Sequence, residues 1–354
     1  MAYTTIDDPS AYFQTALYTG TGSGQQVIND GNSDLQPDWI WVKRRDSLGY
    51  HQIIDSSRGG TKRLWSNDNG AEGTQNNVAS FDSDGFTAGN ESDITPASTS
   101  QVAWQWKCNG GSRTTFTESG NNPGGGYQAN TTAGFSIVDY TGTANAGTVS
   151  HGLGAVPHVM IFKNRDQADD WGVYHHKNTA APETDFLKLN TTDATTDSAN
   201  VFNDTAPTSS VFTVNIAGTV NEDAEKYIAY CFAPIQGYSK FGSYTGNGNA
   251  DGPFIYTGFK PSFLIIKNTS DGDDQWLMWD NKRSVSNPVD DYLEPSTNAS
   301  ESANSNWAII DFVSNGFKLR SSDISYNQSG YKYIYMAFAE HPFVSSEGVP
   351  TTAR

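Results

Sequence analysis

Phe135-Ser136-Ile137-Val138-Asp139-Tyr140-Thr141-Gly142 decides how this 354-residue chain is read, because the chain uses its pattern three times. Phe13-Gln14-Thr15-Ala16-Leu17-Tyr18-Thr19-Gly20 precedes it and Phe241-Gly242-Ser243-Tyr244-Thr245-Gly246 follows it. The Tyr-Thr-Gly anchors, Tyr18, Tyr140 and Tyr244, recur after 122 residues (140 − 18) and 104 residues (244 − 140). Downstream of each stands a proline and a strand ending in lysine: Pro37 to Lys43, Pro157 to Lys163 and Pro261 to Lys267, with the same offset of six (43 − 37, 163 − 157, 267 − 261). Each copy closes on an aromatic strand, Val102-Ala103-Trp104-Gln105-Trp106-Lys107, Tyr227-Ile228-Ala229-Tyr230-Cys231-Phe232-Ala233 or Tyr333-Ile334-Tyr335-Met336-Ala337-Phe338-Ala339. Self-similarity at this period marks tandem copies of one structural unit.

The units read as β structure. The proline-to-lysine runs are β-branched or aromatic and apolar on both faces, as central strands are. The closing strands alternate large and small side chains, which suits two sheets packed about 10 Å apart. Asp84-Gly85-Phe86 and Asn315-Gly316-Phe317 carry turn dipeptides, whereas the second unit has Ser210-Val211-Phe212 without the glycine. Helical periodicity is nearly absent, and Val289 to Leu293 promises at most a short turn. The expected fold is all-β: three tandem jelly-roll-like β-sandwiches, since units of this length exceed propeller blades of about 40–50 residues. The boundaries run as an N-terminal arm at 1–10, sandwich 1 at 11–108, a Gly-rich linker or hairpin at 109–132, sandwich 2 at 133–234, sandwich 3 at 235–344 and a tail at 345–354. The glycines of 109–132 predict mobility, with unit 1 freer to swing than units 2 and 3.

Composition narrows the function. Lys and Arg number 22 against 39 Asp and Glu, a formal charge of −17. A negative field repels phosphate backbones and anionic lipid surfaces, so no nucleic acid is expected as a partner. No apolar run reaches the roughly 18 residues of a membrane span, and membrane insertion is not expected. Met1-Ala2-Tyr3-Thr4-Thr5-Ile6-Asp7-Asp8 has neither the basic nor the apolar region of a signal peptide, which points to synthesis in a cytoplasm. Two cysteines, Cys108 and Cys231, cannot form a disulfide framework and read as small buried hydrophobes.

Gly134 to Gly142, followed by His151-Gly152-Leu153-Gly154 and Pro157, resembles a repeated domain of virion structural proteins in tailed bacteriophages, common in marine phages. Asp55-Ser56-Ser57-Arg58-Gly59, the Trp104-Gln105-Trp106-Lys107 strand, and Phe338-Ala339-Glu340-His341-Pro342-Phe343 running out to Arg354 share in the likeness, which covers nearly the whole chain. Concanavalin- or SPRY-type jelly rolls on tails, fibres or capsid surfaces are what the resemblance implies. No catalytic residues come with it, so none is carried over. Unit 3 has Gly252-Pro253-Phe254-Ile255-Tyr256 where the His-Gly-Leu-Gly stretch belongs, which confines any site on His151 to unit 2.

Candidate chemistry is sparse. Retaining glycanases set two carboxylates about 5–5.5 Å apart, and no acidic strand of that kind occurs. Asp82 with Asp84, and Asp271 with Asp273 and Asp274, are the places where Ca²⁺ would be sought, but solvated turns explain them as well. Otherwise no cofactor is expected, and no metal site. His175 and His176 are adjacent, so on a strand they point to opposite faces and read as turn or surface groups. Lys43, Lys163 and Lys267 read as structural anchors, stems packed and heads in solvent. Trp65, Trp171, Trp276 and Trp279 lie near loops and are the candidate contacts for a sugar or a docking partner. These readings converge on a non-enzymatic virion structural protein at the particle surface, tail-associated as a fibre or receptor-binding component. A capsid decoration protein and a carbohydrate-binding or carbohydrate-active jelly roll are the alternatives. Its partners would be other virion proteins, a host surface glycan or protein, and copies of itself, a trimer by preference.

Overall fold

A computed structural model describes residues 3–303 and 305–350. The protein is all-β, with 40% strand and 5% helix. Four strands recur in each unit. In unit 1 they are β1 (Phe13–Thr19), β2 (Trp39–Arg44), β3 (Gln52–Asp55) and β4 (Ser100–Trp106). The segment after unit 1 contributes β5 (Gly125–Asn130). Unit 2 has β6 (Phe135–Thr141), β7 (Val159–Asn164), β8 (Gly172–His175) and β9 (Lys226–Phe232). Unit 3 has β10 (Ser239–Thr245), β11 (Phe259–Asn268), β12 (Leu277–Asp280) and β13 (Lys332–Pro342). Each set makes an antiparallel sheet in the same order, β1-β4-β2-β3, β6-β9-β7-β8 and β10-β13-β11-β12. A small sheet covers one face of each: Gln25–Val27 with Phe86–Ala88 and Val78–Phe81, Gly147–Ser150 with Val211–Val214, and Phe254–Tyr256 with Gly316–Leu319 and Ile310–Val313.

The repeat anchors hold one place. Tyr18, Tyr140 and Tyr244 each donate the phenol to a main-chain carbonyl late in their own unit, Ile94 O at 2.8 Å, Val220 O at 2.6 Å and Tyr326 O at 2.6 Å. Gly85 and Gly316 sit where a Cβ would meet the Val27 and Ile255 carbonyls at 2.0 and 2.1 Å, so these turns require glycine. Unit 2 manages with Ser210, whose carbonyl accepts from His151 N at 3.2 Å.

The other face of each large sheet turns inward, and there the three sheets share one core. Ile40 and Val42 of β2 pack within unit 1, while Trp39 and Trp41 reach the shared core. Met160 and Phe162 against Val159 and Ile161 repeat the division in unit 2, and Leu264 and Ile266 against Phe263 and Ile265 in unit 3. Rings interlock across every boundary: Trp39 stacks on Tyr230 at 4.7 Å, Phe13 on Phe338 at 5.4 Å, and Phe232 meets Phe338 edge-on at 5.9 Å. Such aromatic pairs add about 0.5–1.5 kcal/mol each beyond area burial. The strands are apolar on both faces because one face serves the unit and the other serves the whole. A cavity of about 30 Å³ remains at the centre, lined by apolar groups of all three units such as Trp41, Ile161 and Ile265, with room for little more than one water.

This arrangement corrects the expectation that unit 1 swings. Residues 109–132, expected as a Gly-rich linker or hairpin, are paired rather than loose. Thr114–Phe116 and β5 form a hairpin that extends the unit 2 sheet through β5 and β6 pairing, Gly125↔Tyr140 to Asn130↔Phe135. A Cβ on Gly125 would stand 2.1 Å from Asp139 O, so that glycine serves close approach rather than mobility. The arm folds back on its own chain: Ile6 is buried in the shared core and Thr4 Oγ1 donates to Gln236 O at 2.8 Å. Met1, Ala2 and Thr351 to Arg354 lie outside the described residues.

Candidate binding groove

Three boundaries of one design join the units head to tail. At the first, Arg58 is buried and donates to Asp55 at 2.6 Å, Glu72 at 3.1 Å and Tyr230 OH of unit 2 at 3.2 Å. Tyr230 OH donates to Asp55 at 2.7 Å, and Glu72 takes Arg165 of unit 2 at 2.8 and 3.0 Å. Between units 3 and 1, Arg283 donates to Asp280 at 2.5 Å and Glu301 at 3.1 Å. There Trp104 Nε1 of unit 1 donates to Asp280 at 3.0 Å, and Arg45 pairs with Glu301 at 2.7 Å. Between units 2 and 3 the same places are neutral: His175 Nε2 meets Tyr335 O at 3.1 Å and Thr195 Oγ1 donates to Asn178 at 2.6 Å. One main-chain bond recurs at all three, Glu72 N to Arg165 O, Glu301 N to Arg45 O and Thr195 N to Thr269 O, at 2.7, 2.8 and 3.3 Å.

Each boundary forms a groove along the first strand of a large sheet, and the three differ in what fills them. Along β6 the chain's own β5 lies in the groove. Its Gln128 is buried and donates to Ser56 and Ser57 Oγ, both at 2.7 Å, the two residues after β3. Along β1 the groove has a volume of about 470 Å³, and its charges are paired, Lys260 with Glu340 at 3.1 Å and Lys282 with Asp30 at 2.7 Å. Along β10 it is widest, about 820 Å³.

The β10 groove has its own chemistry. His176 and Lys177 follow β8 as Ser56 and Ser57 follow β3. His176 Nε2 lies 2.8 Å from Phe241 O on the open edge of β10, and its ring stacks on His158 at 3.6 Å. Burial pushes His158 down to about 4 and lowers His176 as well, so this stack is neutral near pH 7. Lys240 caps Tyr256, donating to its carbonyl at 2.8 Å with Nζ 5.1 Å above the ring. Phe254 and Tyr256 are nearly half exposed, at 48% and 46%. No acidic side chain lines the groove, and neither Lys177 nor Lys240 forms an ion pair with a described residue.

A profile for a domain of unknown function, DUF7483, matches residues 8–342, all three units at once. The chain belongs to that family. No curated protein and no solved structure matches it. One DUF7483 domain therefore spans the whole three-unit body, as a shared core requires.

The residues singled out in sequence fall elsewhere in this DUF7483 chain. Trp171 and Trp276 are buried, their indoles donating to Trp65 O and Lys188 O of the preceding unit at 2.8 and 2.9 Å. Trp279 is buried within unit 3 and donates to Ala308 O at 3.1 Å. None of the three can touch an outside ligand: Trp171 and Trp276 stand where packing of the units makes a boundary interior, and Trp279, on β12, faces the core of its own unit. Trp65 is half-buried, with the Arg63 guanidinium 4.9 Å over its ring. Lys43, Lys163 and Lys267 are buried rather than solvated at the head: their ammoniums donate to Arg44 O at 2.8 Å, to Asn164 O at 2.7 Å, and to Thr192 O and Asp274 O at 2.7 Å. Burial holds all three down to about 8. His175 is buried too, and pushed down to about 3, which corrects its surface reading.

Asp82 accepts from Ser80 and Thr87, and Asp84 from Leu35 N, while Asp274 accepts from Asn268 and Ser325. Among the described residues no cluster of three or more acidic, His or Cys side chains is placed to hold a metal. Cys108 and Cys231 are free and buried. Phe254, Tyr256, Lys177 and Lys240 went unnoticed in sequence, although Phe254-Ile255-Tyr256 carried a signal: its alternation leaves both rings on the outer face of a small-sheet strand.

Proposed function

We propose that this chain is a non-enzymatic structural protein of a bacteriophage particle, carried on the particle surface in association with the tail and serving in host attachment. One observation supports a docking role above all: a rigid three-unit body keeps two of its equivalent sheet-edge grooves open, one of them cationic on a chain of net charge −17. Open edges pair with other chains unless they are protected, so a fold that leaves them open at formed grooves suits assembly. The resemblance of the Tyr-Thr-Gly units to tailed-phage virion domains supplies the setting. Removing the gene from its phage and measuring adsorption tests the attachment role; adsorption at the unmodified rate would defeat it. A second reading, capsid decoration, is favoured by the shape: among the described residues the longest strand has 11 residues and every helix is one turn, so no shaft reaches outward. Copy number separates the two, hundreds per particle for the head and a small multiple of the tail symmetry otherwise.

A further inference from the structure

We propose that the groove between units 2 and 3 takes an extended acidic polypeptide segment, which adds as a strand to the open edge of β10 and sets a carboxylate against His176 and Lys177. This inference names a partner chemistry for the docking reading above and rests on it. The filled groove shows what an occupant does. Tyr140 and Tyr244 are equivalent, so Ile137 and Phe241, each three residues earlier, are equivalent edge positions (140 − 137, 244 − 241). Gln128 lies opposite Ile137 in the β5–β6 pairing and puts its amide between Ser56 and Ser57.

In the open groove the counterparts of those serines are His176 and Lys177, and His176 reaches the Phe241 carbonyl that an added strand would bond. The imidazole thus holds a strand's place. The edge is otherwise available. Tyr238 O and Gly246 N bond β13 and the residue before it, so the alternate residues Phe241 and Ser243 turn their main-chain groups outward. No described residue bonds the Ser243 main chain on that side.

Charge selects the occupant. In the filled groove two serine hydroxyls meet a neutral amide; in the open one the unpaired Lys177 ammonium, and the His176 N–H that an added strand would displace from Phe241 O, suit an acceptor-only group. Lys240 adds a second cation, and Phe254 and Tyr256 offer exposed rings for the segment's alternate side chains. The β1 groove lacks this preference because Asp30 and Glu340 already satisfy its lysines.

The test is fluorescence anisotropy on the full chain with three labelled peptides: an alternating Glu-Thr peptide, its Lys-Thr counterpart, and the Glu-Thr peptide N-methylated on alternate residues. Polygalacturonate serves as a carbohydrate competitor. The Glu-Thr peptide is expected to bind, the Lys-Thr peptide to fail, and N-methylation in one of its two phases to abolish binding. Lys177→Glu should weaken binding at least tenfold. Ser243→Pro removes only an outward N–H and should abolish binding while leaving the melting temperature within a few degrees. Binding should also slow amide exchange at Ser243, which a ligand of the rings alone would not do. Equal binding of both peptides, indifference to N-methylation and Ser243→Pro, or binding of polygalacturonate in place of the peptide would overturn the proposal. Because adsorption and copy number are measured on particles, a failure here leaves the virion reading standing.

Discussion

Replacing Arg58 by methionine tests whether the three units are one thermodynamic body. The Arg58 and Asp55 side chains are both wholly buried, and Arg58 also donates to Ile53 O at 3.0 Å. Methionine fills much of the volume but leaves Asp55 with only the Arg58 main-chain N–H, at 2.8 Å, and the Tyr230 phenol. Stranding a buried partner in this way costs about 3–5 kcal/mol. If unfolding is global, the loss appears everywhere in the chain, as amide exchange faster by roughly two to three and a half orders of magnitude. Hydrogen exchange read by mass spectrometry should therefore show β13 of unit 3 losing as much protection as β4 of unit 1, although Arg58 touches neither. Arg283→Met should give the same pattern from the opposite boundary. Asn178→Ala at the neutral boundary removes one hydrogen bond and should cost only about 1 kcal/mol. Should Arg58→Met loosen units 1 and 2 while β13 keeps its full protection, the units are separate beads and the shared core does not couple them.

Other outcomes follow from buried groups. Tyr18→Phe, Tyr140→Phe and Tyr244→Phe each leave one carbonyl unbonded and should each cost about 1–2 kcal/mol in urea unfolding; a cost at one site alone would deny their equivalence. Lys43 has a folded pKa of about 8 against 10.5 unfolded, so between those values the unfolded chain binds more protons and the lysine's contribution to stability rises with pH. The stability of Lys43→Met relative to the parent should accordingly fall by about 3 kcal/mol between pH 7.5 and pH 11, with a flat difference counting against a buried ammonium. His175, at about 3 against 6.5, is a base whose folded pKa is depressed: its stability contribution is complete above 6.5 and is lost as pH falls towards 3. A His175→Gln variant should lose several kcal/mol less between pH 6.5 and 3.5, and an unchanged acid midpoint would refute that burial.

The strands and their threefold use were legible because tyrosine, proline and lysine at fixed offsets survive translation into structure. The shared core was not. Trp39 and Trp41 read as a strand buried on both faces, and sequence cannot say whether the second face meets its own unit or the next. The lysines misled for a related reason: a strand-end lysine ordinarily extends into water, whereas Lys43 turns back onto the Arg44 carbonyl beside it and Lys267 reaches Thr192 O of the preceding unit, a partner present only once the units pack. Trp171 and Trp276 looked like loop aromatics, and they are, at a boundary invisible until the units meet. Of the groove, Phe254 and Tyr256 had a readable cue in their alternating strand, whereas the partnership of His176 with β10 spans 65 residues and left no local trace.

A head-to-tail contact that recurs three times and returns to its start makes a closed ring, the geometry expected of a cyclic trimer. Three separate copies of one unit would have to build three identical boundaries. A single chain is free of that constraint, and this one has used the freedom: two boundaries carry buried arginine networks, the third is neutral, and one groove is filled by the connecting strand. The neutral boundary is also the one with the cationic open groove. At the two ionic boundaries the residues after the strand-end aspartate hold Arg58 and Arg283, tied to carboxylates inside the body. At the neutral one the same turn carries His175, His176, Lys177 and Asn178, none of which forms an ion pair with a described carboxylate. Lys177 and Lys282 hold the same place in their turns, but Asp30 pairs with Lys282 whereas no described carboxylate pairs with Lys177, so specialisation of the groove is linked to the missing facing acid. That linkage predicts a single cationic site per chain rather than three, and a peptide titration of the full protein that saturated at three equivalents would contradict it.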